Sequence, residues 1–70
     1  MKRIDLIRKL TAAAAASGGD LVLVREGGSH SIFRCGNQNV VIPRHLEINE
    51  LTALGIMKDL EDELGKDWWK

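Results

Sequence analysis

An α+β domain of order α-β-β-β-α, with two helices on one face of a three-stranded antiparallel sheet, follows from three features of the 70 residues. Two apolar stripes at helical spacing bracket the chain. Three short runs rich in branched residues fill its middle, and glycine-containing turn signals separate those runs.

Lys2 to Ala16 is the first helix. Leu6, Ile7, Leu10, Ala13 and Ala14 recur at the 3.6-residue period, with Lys2, Asp5, Arg8 and Lys9 off the stripe. The alanines from Ala12 to Ala16 favour helix strongly and allow a neighbour to approach closely. Ser17-Gly18-Gly19 ends it, because glycine accepts the left-handed backbone of a C-terminal cap. Leu21 to Arg25 is a strand, Glu26-Gly27-Gly28-Ser29 a tight turn, and His30 to Cys35 a second strand. Gly36-Asn37 turns the chain into a third strand, Asn39 to Ile42, which Pro43 stops.

After a loop from Leu46 to Asn49, a second helix runs from about Glu50 to Leu64. Asn49 is the expected N-cap, with Thr52 the alternative if the helix starts later. The stripe to be buried is Ala53, Ile56, Met57, Leu60 and Leu64, and Gly65 is the expected C-terminal cap. Residues 1–70 make one domain, with 66–70 a tail outside the pattern. With both helices on one face of the sheet, the other face stays open for binding.

Composition narrows the classes. A chain this short buries only about 60% of its unfolded surface, so it leans on a disulfide, a metal or a partner. Cys35 is the only cysteine, which excludes an internal disulfide. Together with His30 and His45 it falls short of the four ligands of a structural zinc site, so no metal and no cofactor is expected. A partner protein remains. No stretch approaches the roughly 20 apolar residues of a membrane span, the start lacks a signal-type apolar run, and a lone thiol suits the cytoplasm. The zero net charge hides an asymmetry. Met1 to His45 holds seven basic and three acidic residues, a net of +4, and Leu46 to Lys70 holds three and seven, a net of −4. That division suits a polyanion site in the first part, although two ordinary solvated faces would look the same.

His30 is the leading candidate for chemistry. Strand alternation sets His30, Ile32 and Arg34 on one face and Ser31, Phe33 and Cys35 on the other. Phe33 and Cys35 suit the helix-covered side, which sends His30 and Arg34 to the open side. An unperturbed imidazole titrates at about pH 6.5 and can exchange a proton at neutral pH. RNA carries its own nucleophile, the 2′-hydroxyl. A base for that proton, plus cations on the phosphoryl oxygens, suffices for metal-free transesterification. Arg34 and Arg44 offer forked donors matched to phosphate. Against this stands an inert surface histidine at a turn.

Gly27-Gly28 serves turn geometry, and its bare backbone also lets a phosphate approach the amides beside Ser29 and His30. Pro43-Arg44-His45 either lines a nucleic-acid groove or packs on the second helix. Cys35 reads as a small core residue rather than a nucleophile. Trp68-Trp69 either anchors a partner or folds back over a thin core.

Three segments carry a resemblance: Lys2-Arg3-Ile4-Asp5-Leu6-Ile7-Arg8-Lys9-Leu10, then Val24-Arg25-Glu26-Gly27-Gly28-Ser29-His30-Ser31-Ile32-Phe33, then Val41-Ile42-Pro43-Arg44-His45. With Glu50-Leu51-Thr52-Ala53, Ile56 and Leu60 of the last helix, the chain from about Lys2 to Leu64 resembles the HicA toxins, small mRNA interferases of toxin–antitoxin pairs. The resemblance implies a fold like a double-stranded-RNA-binding domain. It also implies ribosome-independent cleavage of mRNA by one histidine after a Gly-Ser pair, which falls on His30, and neutralisation by a HicB-type antitoxin covering that histidine. On this reading Gly28, Ser29, Arg34, Arg44 and His45 contact RNA. Two departures stand out. Many members carry a second histidine where this chain has Ser31. The basic stretch common near the family's C-terminus is here the acidic Asp59-Leu60-Glu61-Asp62-Glu63, which weakens the grip on RNA by releasing fewer counterions.

Overall fold

A computed structural model describes residues 1–70. The elements are α1 (Arg3–Ala16), β1 (Leu21–Glu26), β2 (His30–Cys35), β3 (Gln38–Pro43), α2 (Glu50–Asp59) and the single turn α3 (Glu61–Leu64). The strands form an antiparallel sheet of order β1-β2-β3. No helix is long and apolar enough to cross a membrane.

Helix α1 has no side-chain cap at its start. Its first amide is instead satisfied across the fold, where Arg3 N donates to Leu46 O at 2.9 Å. Lys2 pairs with Glu47 in a one-residue bridge, and Ile48 N donates to Met1 O at 2.7 Å, so the start of the chain is stitched to the segment before α2. At the other end Gly18, at φ +83°, permits a Schellman closure: Gly19 N donates to Ala14 O and Gly18 N to Ala15 O. Asn49 is the N-cap of α2, its side chain accepting from Leu51 N at 2.8 Å.

The helix expected from Glu50 to Leu64 is two. It stops at Leu60, whose φ of −97° and ψ of 8° lie outside the helical ladder. Met57 O accepts from Leu60 N at 3.3 Å and also from the Trp68 indole N–H at 2.8 Å, so that carbonyl keeps partners without a continuous helix. Glu61, Asp62 and Glu63 then occupy the first turn of α3, where negative charge suits the helix dipole.

The core lies between the helices and one face of the sheet. Leu6, Leu10 and Ala14 of α1 meet Ala53, Ile56 and Met57 of α2, with Leu60 following them, over Cys35, Val40 and Ile42 of the strands. Leu6, Leu10, Ile42 and Leu60 are wholly buried, and such burial is worth about 1.5–3 kcal/mol each. Cys35 is inside as expected. Burial, and then the nearby Glu63 carboxylate, push its thiol pKa up, which disfavours the nucleophilic thiolate. Trp68 and Trp69 fold back and pack on this core, edge to face at 6.3 Å, and Lys9 Nζ donates to Trp69 O at 2.8 Å. The tail therefore belongs to the packed body.

Candidate functional site

Pairing across β2 separates the faces as the alternation implies. Ser31 and Cys35 are buried against the helices, Phe33 packs on the core, and His30 and Arg34 are exposed on the opposite side. On β3 the residues opposite His30, Ile32 and Arg34 are Pro43, Val41 and Asn39.

A bulge rearranges β1. Leu21, Val22 and Leu23 oppose Cys35, Arg34 and Phe33 in regular order. The register then slips, so that Arg25 opposes Ile32 and Glu26 opposes Ser31, with Val24 as the extra residue. Unbroken alternation from Leu21 and Leu23 would have turned Arg25 toward the helices and Glu26 away from them. The slip reverses both. Arg25 joins the open face, and Glu26 faces Ser31.

The open face ends in a cleft of about 440 Å³ lined by Arg25, Gly27, Gly28, Ser29, His30, Ile32 and Val41. Gly27 is needed here for its size: a Cβ would lie 3.1 Å from His30 O, and Gly27 N itself donates to that oxygen at 2.8 Å. Gly28 differs. It has no left-handed φ, and an added Cβ would meet nothing within 4 Å. Neither backbone strain nor crowding excludes a side chain there; a side chain would simply occupy the mouth of the cleft. The backbone amides of Gly28 and Ser29 meet no acceptor within the protein. The His30 imidazole makes no hydrogen bond to the protein, and Arg25 and Arg34 have no carboxylate partner among the ion pairs.

Of the residues singled out from sequence, His30, Gly28 and Ser29 come together in the cleft. Arg34 shares their face but lies four residues beyond His30, outside the cleft lining. Arg44 is already engaged: Nη1 donates to Gly27 O at 2.8 Å, Nε lies 3.6 Å from Glu26 Oε1, and its amide donates to Ser29 O at 3.0 Å. Its fork clasps the turn rather than waiting for a phosphate. His45 is exposed in the connection beyond β3 and does not line the cleft. Arg25 is the cleft residue that sequence reasoning passed over, since nothing in Leu21-Val22-Leu23-Val24-Arg25-Glu26 marks where a strand will bulge.

Behind the cleft runs a polar frame. The wholly buried Ser31 donates to Glu26 Oε1 at 2.6 Å and accepts from Arg3 Nη2 at 2.9 Å, and Arg3 Nε donates to Pro43 O at 3.0 Å. The Ser31 hydrogen bond holds the Glu26 carboxyl below its ordinary pKa; desolvation, the next largest effect, opposes it, and the charges of Arg44 and Arg3 add to the lowering.

Chemically the cleft offers one proton-exchanging group, one unpaired guanidinium and two free amides. That set fits an anionic oxygen with an ionisable hydroxyl beside it. No protein-family model, curated protein or solved structure matches the chain.

Proposed function

We propose that the protein is an endoribonuclease of the toxin type, cleaving mRNA without a metal through His30. The observation that carries this reading is the cleft itself: His30, Arg25 and the Gly28 and Ser29 amides converge on the open sheet face with no carboxylate among the lining residues. A free guanidinium with no anion beside it is what a phosphodiester requires. His30 takes the proton of the 2′-hydroxyl, the 2′-oxygen attacks phosphorus, and the bond to the 5′-oxygen breaks. The products are a 2′,3′-cyclic phosphate and a 5′-hydroxyl, the leaving oxygen taking its proton from water and His30 returning the one it took to solvent. Arg25 and the two amides hold the phosphoryl oxygens as charge builds on them, and Arg34 extends the cationic track along β2.

The resemblance of the Gly-Ser-His turn and the Pro-Arg-His exit to HicA toxins supports the same reading. It brings with it a HicB-type antitoxin as partner and the cytoplasm as the site of action. It also brings a likeness to double-stranded-RNA-binding domains, with which the α-β-β-β-α order agrees.

A second reading, RNA binding without cleavage, draws on one observation: the cleft is lined by no acid–base group besides His30 to protonate the leaving 5′-oxygen. Purified protein on an end-labelled transcript with EDTA present separates the two. Fragments ending in cyclic phosphate, abolished in a folded His30→Ala variant, are the expected result. A retarded but intact transcript with the wild-type protein would reject the nuclease.

A further inference from the structure

The residues around His30 are tied down on the side of the sheet away from the cleft, by groups that never reach it. Arg3 at the start of α1 grips two points at once: the Ser31 hydroxyl, one residue after His30, and the carbonyl of Pro43, the residue opposite His30 on β3. Ser31 passes the contact to Glu26, Glu26 to Arg44, and Arg44 closes on Gly27 O and Ser29 O. The frame thus fixes the chain before, after and across from His30 while leaving the imidazole without a protein hydrogen bond. It spans three strands and a helix from the far end of the sequence. Ordinary turn stabilisation does not need that reach.

We propose that Arg3, Ser31 and Glu26 are positioning residues that aim the His30 imidazole at the ribose hydroxyl from behind the sheet. This rests on the nuclease reading and adds to it a set of residues that touch neither substrate nor reacting atoms. Proton transfer needs heavy atoms held at hydrogen-bond range, and a misplacement of about 1 Å costs on the order of a hundredfold in rate. The frame is geometric in its action. Arg3 needs its fork, since a lysine carries the charge but cannot serve Ser31 Oγ and Pro43 O together through a planar pair of donors. Glu26 needs its acceptor oxygen, which glutamine keeps and alanine loses.

Single-turnover and steady-state cleavage of one defined transcript tests this with the whole chain, using Arg3→Lys, Glu26→Ala and Glu26→Gln. The expected result is a fall in kcat on the order of ten- to a hundredfold for Arg3→Lys and Glu26→Ala, with KM within about twofold of wild type. Glu26→Gln is expected to recover most of the loss. Unchanged kcat in both damaging variants overturns the positioning role and leaves the nuclease standing. A raised KM at unchanged kcat overturns it too, since the frame would then shape RNA binding alone. A wild-type protein that fails to cleave removes the nuclease and the positioning role with it. Should Arg3→Lys fail to fold, the comparison at Glu26, an exposed position, decides alone.

Discussion

The indole N–H of Trp68 donates to the backbone carbonyl of Met57 at 2.8 Å, joining the end of the chain to the last turn of α2. Trp68→Phe keeps most of the apolar contact and loses that bond, at an expected cost of about 1 kcal/mol. Trp68→Ala loses both and is expected to cost about 2–3 kcal/mol, less than a wholly buried tryptophan because the ring is only partly buried. Urea midpoints measure both. An alanine variant within about 0.5 kcal/mol of wild type would show the tail to be dispensable.

Leu10 is wholly buried in the small core. Leucine-to-alanine changes at such sites cost about 2–5 kcal/mol, while a domain holds only roughly 0.05–0.15 kcal/mol per residue. Leu10→Ala should therefore remove much of the stability of 70 residues and lower Tm by at least about 10 °C. Calorimetry or thermal circular dichroism reads the shift. A fall of only a few degrees would mean that the site collapses around the smaller side chain.

Glu26 gives the fold an acid limb. Its carboxyl sits below the ordinary 4.5 in the folded protein, chiefly through the Ser31 hydroxyl and secondarily through Arg44 and Arg3. A depressed folded pKa means that the unfolded chain takes the proton first. The stabilisation is complete above 4.5 and is lost as pH falls through the folded value. Glu26→Gln cannot titrate, so its stability should change less between pH 5 and 3, about the range where a carboxylate responds. Equal slopes for the two proteins in urea titrations across that range would refute the assignment.

Arg25 and Arg34 carry unpaired charge on the open face. If they meet phosphates, Arg25→Ala should weaken RNA binding and reduce the slope of log K against log salt by about one. Arg34→Ala should do the same, whereas Arg44→Ala should leave the slope unaltered and instead loosen the turn it clasps. Filter binding at several ionic strengths distinguishes them. The same slope change for all three would put Arg44 on the RNA.

Gly28 supplies the most selective test of ligand approach. Its conformation and surroundings admit a methyl group, so Gly28→Ala should leave the melting temperature within about 2 °C of wild type, the scale of a neutral surface change. Binding or cleavage of RNA should nevertheless fall, because the methyl stands where a phosphate would reach the Gly28 and Ser29 amides. Full activity in this variant would move the anion elsewhere on the face.

Much of the architecture was written in local signals. Gly18 and Gly65 mark helix ends, Asn49 marks a beginning, and the apolar period of Leu6, Leu10 and Ala14 states which side of α1 is covered. Strand alternation alone sent His30 and Arg34 to the open side and Ser31 to the helices. What escaped was set by contacts distant in sequence. Nothing near Arg44 announces that Gly27 and Glu26 will occupy its guanidinium, and nothing near Arg3 points to Ser31, 28 residues on. The break at Leu60 is of the same kind, since a tryptophan eight residues later takes one of the carbonyls that a longer helix would have used.

The slip at Val24 makes charge display a matter of chain parity. Were Val24 kept and the bulge lost, every side chain after it in the strand would change sides: a glutamate would take the place of a guanidinium beside His30, and the arginine would turn toward Ser31. The bulge, with no change in any residue of the cleft, thus decides between a surface that attracts polyanions and one that repels them. Among descendants of this chain, the pairing of its first strand is as consequential as the identity of its histidine.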